Sequence, residues 1–340
     1  MREQRPIERH AGTRSSGRLR PLGWIPAWLC LSLVFGDPAS MRAGNGAPID
    51  DHELDRLIEL HHAEREQVRL VLVPAVVVNR RNKIVSGLQV SDFKLFEDFA
   101  PMEIEYFGTE ASQPVAISFL LDVSGSMGRL GKLEEAKQAI RIFVDALQTG
   151  DRFGLISFAD DQVAWITELN SDRERFLRRL EVQEAYGQTA LFDALAATPR
   201  LVAEDVEGRK AIVLFTDGND NASRLNTFKA VRLARSVEVP IHIISFSSVS
   251  SGLRPKGSES REIRTLERFA LETGGSIWPI RNPTDLKEAV LRIQEELRFQ
   301  YVIGYHPKRR DWDGSFRRLK LETERSGLIV RSRSGYYANP

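Results

Sequence analysis

The chain has 340 residues, of which 42% are hydrophobic and 28% are charged, which is the composition of a globular protein with one or two hydrophobic cores. Its formal net charge of +1 excludes the strong positive field that would favour binding to nucleic acid or to an anionic membrane.

Residues 1–36 are predicted to be a signal peptide. A leader rich in arginine precedes an apolar run from Trp24 to Gly36. At roughly 13 residues this run is short for a membrane span and typical of the core of an export signal. We expect an exported protein that is periplasmic, in the cell envelope or extracellular. If the leader is not cleaved, it would instead anchor the protein to the membrane. Cys30, the only cysteine, lies inside this run, so cleavage would leave a chain without disulfides.

Residues 37–66 are predicted to be a polar spacer followed by a short helix. The pair His61-His62 lies on that helix, and its spacing favours a solvated helix face over a metal site. Residues 67–110 alternate between apolar and polar side chains, which predicts a β-rich segment. Its candidate strands include Phe93–Asp98 and Met102–Phe107.

Residues 112–300 alternate between strand and helix patterns. This order predicts a Rossmann-like α/β fold, in which helices cover both faces of a doubly wound, mainly parallel sheet. Residues 162–166 are predicted to return as an antiparallel edge strand. His242 falls inside a buried strand, and we interpret it as a hydrogen-bonded histidine of the sheet and not as a ligand.

Residues 301–340 form a second β-rich segment. Neither this segment nor residues 67–110 can close a core alone, so we expect them to pair in a small flanking β-sandwich. Segments more than about 15 Å apart would contradict this prediction, since paired strands lie far closer than that.

A carboxylate and two hydroxyls follow the first buried strand of the α/β segment. Asp122, Ser124 and Ser126 come directly after the apolar run Val115–Leu121. Thr189 precedes a helix pattern, and Asp217 ends a second buried run. In open α/β sheets, the carboxyl ends of the strands are where ligands bind. Hard oxygen donors of this kind suit Mg²⁺, Mn²⁺ or Ca²⁺. A hydrogen-bonded loop without metal is the alternative interpretation.

These five residues, in this order, resemble the metal-ion-dependent adhesion site of the von Willebrand factor A domain. Segments such as "LVPAVVVNRRNKIVSGL" and "SDFKLFED" further resemble an acidobacterial type of von Willebrand factor A-related family. That family usually has Gly where this chain has Phe99, and we expect this difference to weaken the tight turn there.

The resemblance implies one divalent cation, Mg²⁺ or else Mn²⁺ or Ca²⁺, held by Asp122, Ser124, Ser126, Thr189 and Asp217. It also implies a protein ligand whose Asp or Glu side chain completes the coordination. The predicted ligand-binding rim comprises Met127, Arg129, Gln188 and Asn219.

Two of these predictions have alternatives that remain open. Arg129 either steers an acidic partner or is a solvated surface residue. Asn219 and the two residues after it either add oxygen donors or cap the next helix, and the sequence favours the cap.

The predicted function is that of a secreted binding module that uses its metal site to capture a protein ligand. The alternative is a structural or assembly scaffold of the cell envelope whose metal site is stabilising or unused. An enzyme is not expected, because the sequence offers no histidine base for Ser124 or Ser126 and no nucleophile elbow or Walker loop.

Overall fold

The computed structural model describes residues 69–111, 113–203, 209–246 and 261–339. The predicted signal peptide (1–36) and the predicted spacer and helix (37–66) lie outside the described residues.

A six-stranded sheet forms the centre of the α/β part. Its strands are β5 (Val115–Asp122), β6 (Arg152–Ala159), β7 (Gln162–Asn170), β8 (Arg209–Thr216), β9 (Ile241–Ser245) and β10 (Ile277–Pro279). The spatial order is β10-β9-β8-β5-β6-β7, and only the pairing of β6 with the edge strand β7 is antiparallel. Every residue of β5 is buried, as expected for a central parallel strand.

Helices cover both faces of this sheet. They are α1 (Lys132–Asp145), α2 (Arg173–Glu181), α3 (Leu191–Ala203), α4 (Thr227–Ala234), α5 (Arg261–Thr273) and α6 (Pro283–Arg298). Helices α1, α2 and α6 bury their apolar stripes in one core, and helices α3, α4 and α5 bury theirs in another on the opposite face. The predicted doubly wound α/β fold is therefore confirmed.

Two antiparallel sheets flank the α/β part. Their strands are β1 (Val71–Asn79), β2 (Phe93–Glu97), β3 (Ala100–Met102), β4 (Tyr106–Ala111), β11 (Phe299–Tyr305), β12 (Phe316–Thr323), β13 (Leu328–Ser332) and β14 (Gly335–Tyr337). The two orders are β13-β1-β11-β4 and β14-β12-β2-β3. Strand β1 lies between β11 and β13, and β2 pairs with β12, so each sheet combines early and late segments of the chain. The apolar faces of the two sheets share a third core, as the predicted β-sandwich requires.

The sequence pattern was wrong about one strand of this sandwich. Residues 102–107 were predicted to be a single strand, but the chain leaves one sheet after Met102 and enters the other at Tyr106. Apolar and polar residues still alternate across this crossover, because Ile104 packs against the same core as the strands on either side. Phe99 does not prevent the tight turn expected to be weakened there, since β2 and β3 pair directly across it.

Buried polar contacts join the sandwich to the α/β part. Arg331 of β13 forms an ion pair with Glu296 of α6 and donates to Asn82 Oδ1 at 3.0 Å. His242 of β9 lies beside Glu296, and its Nδ1 is 2.9 Å from Ser276 Oγ. His242 is thus a hydrogen-bonded histidine of the sheet, as predicted.

Candidate metal centre

Two neighbouring parallel strands carry the two carboxylates of the candidate site to one edge of the sheet. Asp122 is the last residue of β5, and Asp217 directly follows β8. The two strands pair in a register that places Leu121 opposite Phe215. Both carboxylates therefore lie at the carboxyl edge of the sheet, where the fold leaves room for a ligand.

The Asp122 carboxylate is buried and held at both oxygens. Oδ1 accepts a hydrogen bond from the Ser124 backbone N at 2.9 Å, and Oδ2 accepts one from Thr216 Oγ1 at 2.7 Å. Burial raises the pKa of Asp122 to about 6, although these two hydrogen bonds oppose that rise. Thr216 was missed by sequence reasoning, because a Thr at the end of an apolar strand carries no signal of its own.

The two serine hydroxyls lie together on the loop after β5. Ser124 Oγ is 3.2 Å from Ser126 Oγ. Between them, the Gly125 backbone N donates to Gly187 O at 3.1 Å. A Cβ on Gly125 would lie 3.2 Å from that same carbonyl oxygen, a tight contact, so this close approach of two loops favours glycine.

Thr189 is fixed by contacts on both sides of its loop. Its backbone N donates to Asn221 Oδ1 at 2.8 Å, and its carbonyl accepts from Asn221 N at 3.0 Å. On the other side, Asp160 Oδ1 accepts from Gln188 N at 2.7 Å. Gly187 has a φ of +66°, and a Cβ there would meet the Asp160 carboxylate at 2.3 Å. These contacts on both sides hold the loop that carries Thr189.

Asp217 forms a buried ion pair that the sequence pattern did not predict. Lys132 Nζ donates to Asp217 Oδ2 at 2.8 Å, and the two side chains are 12% and 1% exposed. Asp217 Oδ1 accepts from Asn219 N at 3.2 Å. Lys132 is the first residue of α1, where a lysine is normally interpreted as a solvated surface residue. Its ion pair with Asp217 is therefore seen only in the three-dimensional structure.

The donor set fits a hard divalent cation. Two carboxylates and three hydroxyls supply only oxygen, the chemistry that Mg²⁺, Mn²⁺ and Ca²⁺ prefer. Ser126 and Thr189, which come from different loops, line the same cleft. Within the described ranges, no group of three or more His, Cys, Asp or Glu side chains is placed to hold a metal, so any site here must use the hydroxyls.

The predicted rim needs one correction. Met127 is fully buried in the core under the loop, because its backbone N bonds back to Ser124 O and turns the side chain inward. Arg129, Gln188 and Asn219 are exposed. Leu130, which was not assigned to the rim, is 84% exposed and has a φ of +58°. An apolar side chain in that backbone conformation is uncommon, and it presents a hydrophobic contact beside the site.

A cleft of about 650 Å³ is lined by Ser126 and Thr189 of the candidate site and by Arg129 and Asn219 of the rim. Residues of α5, such as Arg261 and Leu266, also line it. Sequence reasoning missed the α5 residues, because they lie more than 40 positions beyond the last motif residue.

The stretch after Asp217 caps a helix, but a different one from the helix predicted. Ser223 Oγ accepts from Phe192 N at 3.0 Å and from Asp193 N at 3.2 Å, both in the first turn of α3. The following helix, α4, has its own cap in Asn226, whose Oδ1 accepts from Lys229 N at 2.9 Å. The loop therefore fastens the N-terminus of α3, which begins directly after Thr189 and Ala190.

Comparison with known proteins identifies the class of domain to which the α/β part belongs. Residues 117–219 match the family model described as the von Willebrand factor type A domain, and the matched range contains all five candidate metal ligands. The chain therefore contains a von Willebrand factor type A domain, which confirms the resemblance seen in the sequence. Domains of this family are generally protein-interaction modules. The resemblance to the acidobacterial type of the family stays a prediction.

Similar proteins include a UPF0353 protein of Mycobacterium avium, which is 24% identical over 55% of this chain and 62% of its own length. The human inter-alpha-trypsin inhibitor heavy chain H6 is 26% identical over 61% of this chain, but this covers only 16% of that protein. The chain thus spans less than two thirds of the length of either relative.

Two solved structures align with the chain at lower identity. The von Willebrand factor type A protein from Catenulispora acidiphila aligns with a TM-score of 0.46 and 15% identity, over 72% of this chain and 73% of that one. BatB from Bacteroides thetaiotaomicron aligns with a TM-score of 0.43 and 20% identity, over 54% of this chain and 98% of that one. Among the described residues, no helix has the length and hydrophobicity needed to cross a membrane.

Proposed function

We propose that this chain is a metal-dependent binding module for an acidic group of a protein ligand. One divalent cation, Mg²⁺ or else Mn²⁺ or Ca²⁺, would be held by Asp122, Ser124, Ser126, Thr189 and Asp217. When bound, the cation supplies a coordination position that a carboxylate of the ligand can fill.

The convergence of three separate loops carries this proposal. The loop after β5, the loop before α3 and the loop after β8 each bring oxygen donors to one edge of the sheet. Hydrogen bonds fix each loop, through Ser124 N, Asn221 and Asn219 N respectively, and Asn221 also ties the loop after β8 to the loop before α3. Such prior fixing favours binding, because little conformational entropy remains to be lost.

The rim would supply the contact area that a single carboxylate cannot. Leu130 offers an exposed apolar contact. Arg129 and Arg261 line the cleft, but so do Asp220 and Glu262, so these side chains alone give the lining no net charge. The bound cation would therefore supply the preference for an acidic ligand.

We propose binding and not catalysis at this site. No histidine is among the described residues that line the cleft, so the lining offers the serine hydroxyls no imidazole base. The hydroxyls also lie next to Asp122, in an arrangement suited to holding a cation.

Water-proton relaxation of Mn²⁺ tests this function directly. Mn²⁺ bound to the purified chain should enhance the relaxation rate, and added N-acetyl-glutamate should lower that enhancement as its carboxylate displaces water from the metal. N-acetyl-lysine methyl amide is the matched control, because it lacks a free carboxylate. An enhancement that neither compound changes would contradict carboxylate capture while leaving the metal site in place.

A second candidate function is an assembly scaffold of the cell envelope whose metal site is stabilising or unused. The ion pair between Lys132 and Asp217 favours it, since it already compensates one of the two buried carboxylates. This scaffold would bind its partner equally well with and without Mn²⁺, even if the metal raises its unfolding temperature.

We further propose that the protein is exported, on the evidence of its leader. A fractionation that finds it only in the cytosol would contradict that proposal.

A further inference from the structure

The turn between β2 and β3 places a large aromatic side chain in a conformation that favours glycine. Asp98 has a φ of +46° and Phe99 a φ of +70°. Two consecutive residues with positive φ are typical of the tight turns that close hairpins, where Asn or Asp is followed by Gly. Asp98 suits its position, because its Oδ1 accepts from Arg318 N at 2.9 Å. Phe99 does not, since a side chain with a Cβ is strained there.

Burial does not compensate that strain. The Phe99 side chain is 76% exposed. Its described contact is with Arg318, whose guanidinium carbon lies 5.0 Å from the ring centroid. The Arg318 guanidinium forms no ion pair with any described residue. Contacts within the described part of the chain therefore do little to offset the strain at Phe99, and a contact with another molecule is a reason to keep this residue.

Phe99 lies at the mouth of a cleft of about 480 Å³ that is separate from the metal centre. The cleft runs between the outer face of the β14-β12-β2-β3 sheet and the ends of α4 and α5. Two more rings line it, from Phe96 of β2 and Phe316 of β12. The outer face of a sandwich sheet is usually polar, so three phenylalanines around one opening are unusual.

Cations surround these rings. Arg235 lies 3.8 Å over the Phe316 ring and pairs with Glu272 at 2.9 Å. Its Nε is buried and has no hydrogen-bond partner among the described residues. Lys320 also lines the cleft and pairs with Glu322 at the surface. Since Glu272 pairs with Arg235 and Glu322 pairs with Lys320, Arg318 is the cation of the lining that has no carboxylate partner among the described residues, and it favours an anion.

We propose that this cleft binds an acidic peptide segment of a partner protein that carries an aromatic side chain next to a carboxylate. The aromatic side chain would pack between Phe99 and Phe316, where ring contacts are favourable. The neighbouring carboxylate would accept hydrogen bonds from the Arg318 guanidinium, which has no carboxylate partner among the described residues. This site is separate from the candidate metal centre, and binding there needs no metal ion.

Fluorescently labelled tripeptides and the full chain provide the test. The probe is Glu-Phe-Glu, with Lys-Phe-Lys as the charge control and Glu-Ala-Glu as the ring control, and binding is followed by fluorescence anisotropy in EDTA. We expect saturable binding of Glu-Phe-Glu and at least about tenfold weaker binding of either control. Equal binding of Lys-Phe-Lys, or no binding of Glu-Phe-Glu, would overturn the proposal.

Phe99→Gly separates the binding role from a role in folding. This substitution relieves the positive φ, so the unfolding temperature should stay the same or rise, while Glu-Phe-Glu binding falls about tenfold. Arg318→Met should weaken binding to a similar extent. Phe228→Ala, which removes an exposed ring from α4, is the matched control and should bind as the wild type does. The proposal would be contradicted if Phe99→Gly bound Glu-Phe-Glu within twofold of the wild type, or if this variant were clearly less stable than the wild type.

Discussion

At the scale of single residues, Lys132 determines the balance of charge in the candidate site. Its ammonium lies against Asp217, while Asp122 relies on hydrogen bonds alone. An ammonium and a divalent cation compete for the same carboxylate charge, so the lysine should set the metal affinity of the site.

Lys132→Met should therefore bind Mn²⁺ about tenfold more tightly than the wild type, because the competing charge is gone. Without metal, the same variant should be less stable, since Asp217 is left buried and unpaired. Calorimetric titration and thermal melts measure the two effects. Lys229→Met, on the exposed face of α4, is the control. Unchanged or weaker Mn²⁺ binding by Lys132→Met would show that the lysine does not compete.

Gly187 allows the close approach of Asp160 that supports the Thr189 loop. Gly187→Ala should lower the free energy of unfolding by about 2–3 kcal/mol, because the new Cβ adds a collision with Asp160 to the strain of a positive φ. Gly131→Ala is a matched control, since Gly131 also has a positive φ (+73°) but has open space around it. Urea unfolding should show a smaller loss for Gly131→Ala. Equal losses would mean that the contact with Asp160 is unimportant.

At the scale of elements, the loop between β8 and α4 supports the site from outside. Asn221 holds Thr189, and Ser223 caps α3, so one loop positions a ligand residue and the helix behind it. The sequence predicts the candidate ligands Asp122, Ser124 and Ser126, because they are local to one loop. It does not reveal Asn221, whose contact with Thr189 spans 32 positions.

Asn221→Ala should cost about 1 kcal/mol of stability and also weaken Mn²⁺ binding, because Thr189 loses an anchor. Asn226→Ala should cost a similar amount, because it removes the N-cap of α4, yet leave Mn²⁺ binding unchanged. Urea unfolding combined with calorimetry distinguishes the two variants. If both lose metal affinity alike, the loss reflects general destabilisation and not the position of Thr189.

The order of the helices and strands was predictable because it, too, depends on patterns that are local in the sequence. Buried parallel strands such as β5 are apolar throughout, and amphipathic helices such as α1 repeat every three to four residues, so both leave clear patterns. Met127 and Leu130 were harder to place. Which of two apolar residues in a short loop turns inward depends on backbone angles that no periodicity records. For the same reason, the crossover at residues 103–105 was mistaken for strand.

For the whole molecule, the buried contacts among His242, Glu296 and Arg331 connect the sandwich with the α/β part. Glu296 is 2% exposed and receives Arg331 from the sandwich. Burial lowers the pKa of His242 to about 3, and the nearby Arg331 charge adds to that effect. Burial also raises the pKa of Glu296. His242 is therefore neutral at pH 7, and its contact with Glu296 is not an ion pair there.

This histidine should make stability fall in acid. Between pH 6.5 and 3, the unfolded chain binds a proton at His242 that the folded chain does not, so the free energy of unfolding decreases as the pH falls through that window. From pH 7.5 to 5.5, the loss should be about 1.4 kcal/mol larger for the wild type than for His242→Gln. Urea unfolding at the two pH values measures it, and the difference between variants cancels the carboxylates common to both. Identical pH dependence would show that His242 accepts a proton when folded.

The central claim for the molecule is that three loops of a von Willebrand factor A domain form one divalent-cation site. Calorimetric titration of Mn²⁺ into the purified chain tests it most directly, with Asp122→Ala as the site variant and Asp313→Ala, a surface carboxylate of the sandwich, as the control. We predict saturable binding of one ion that Asp313→Ala retains and Asp122→Ala loses. Absence of saturable binding at millimolar Mn²⁺, or equal binding by Asp122→Ala, would contradict the claim.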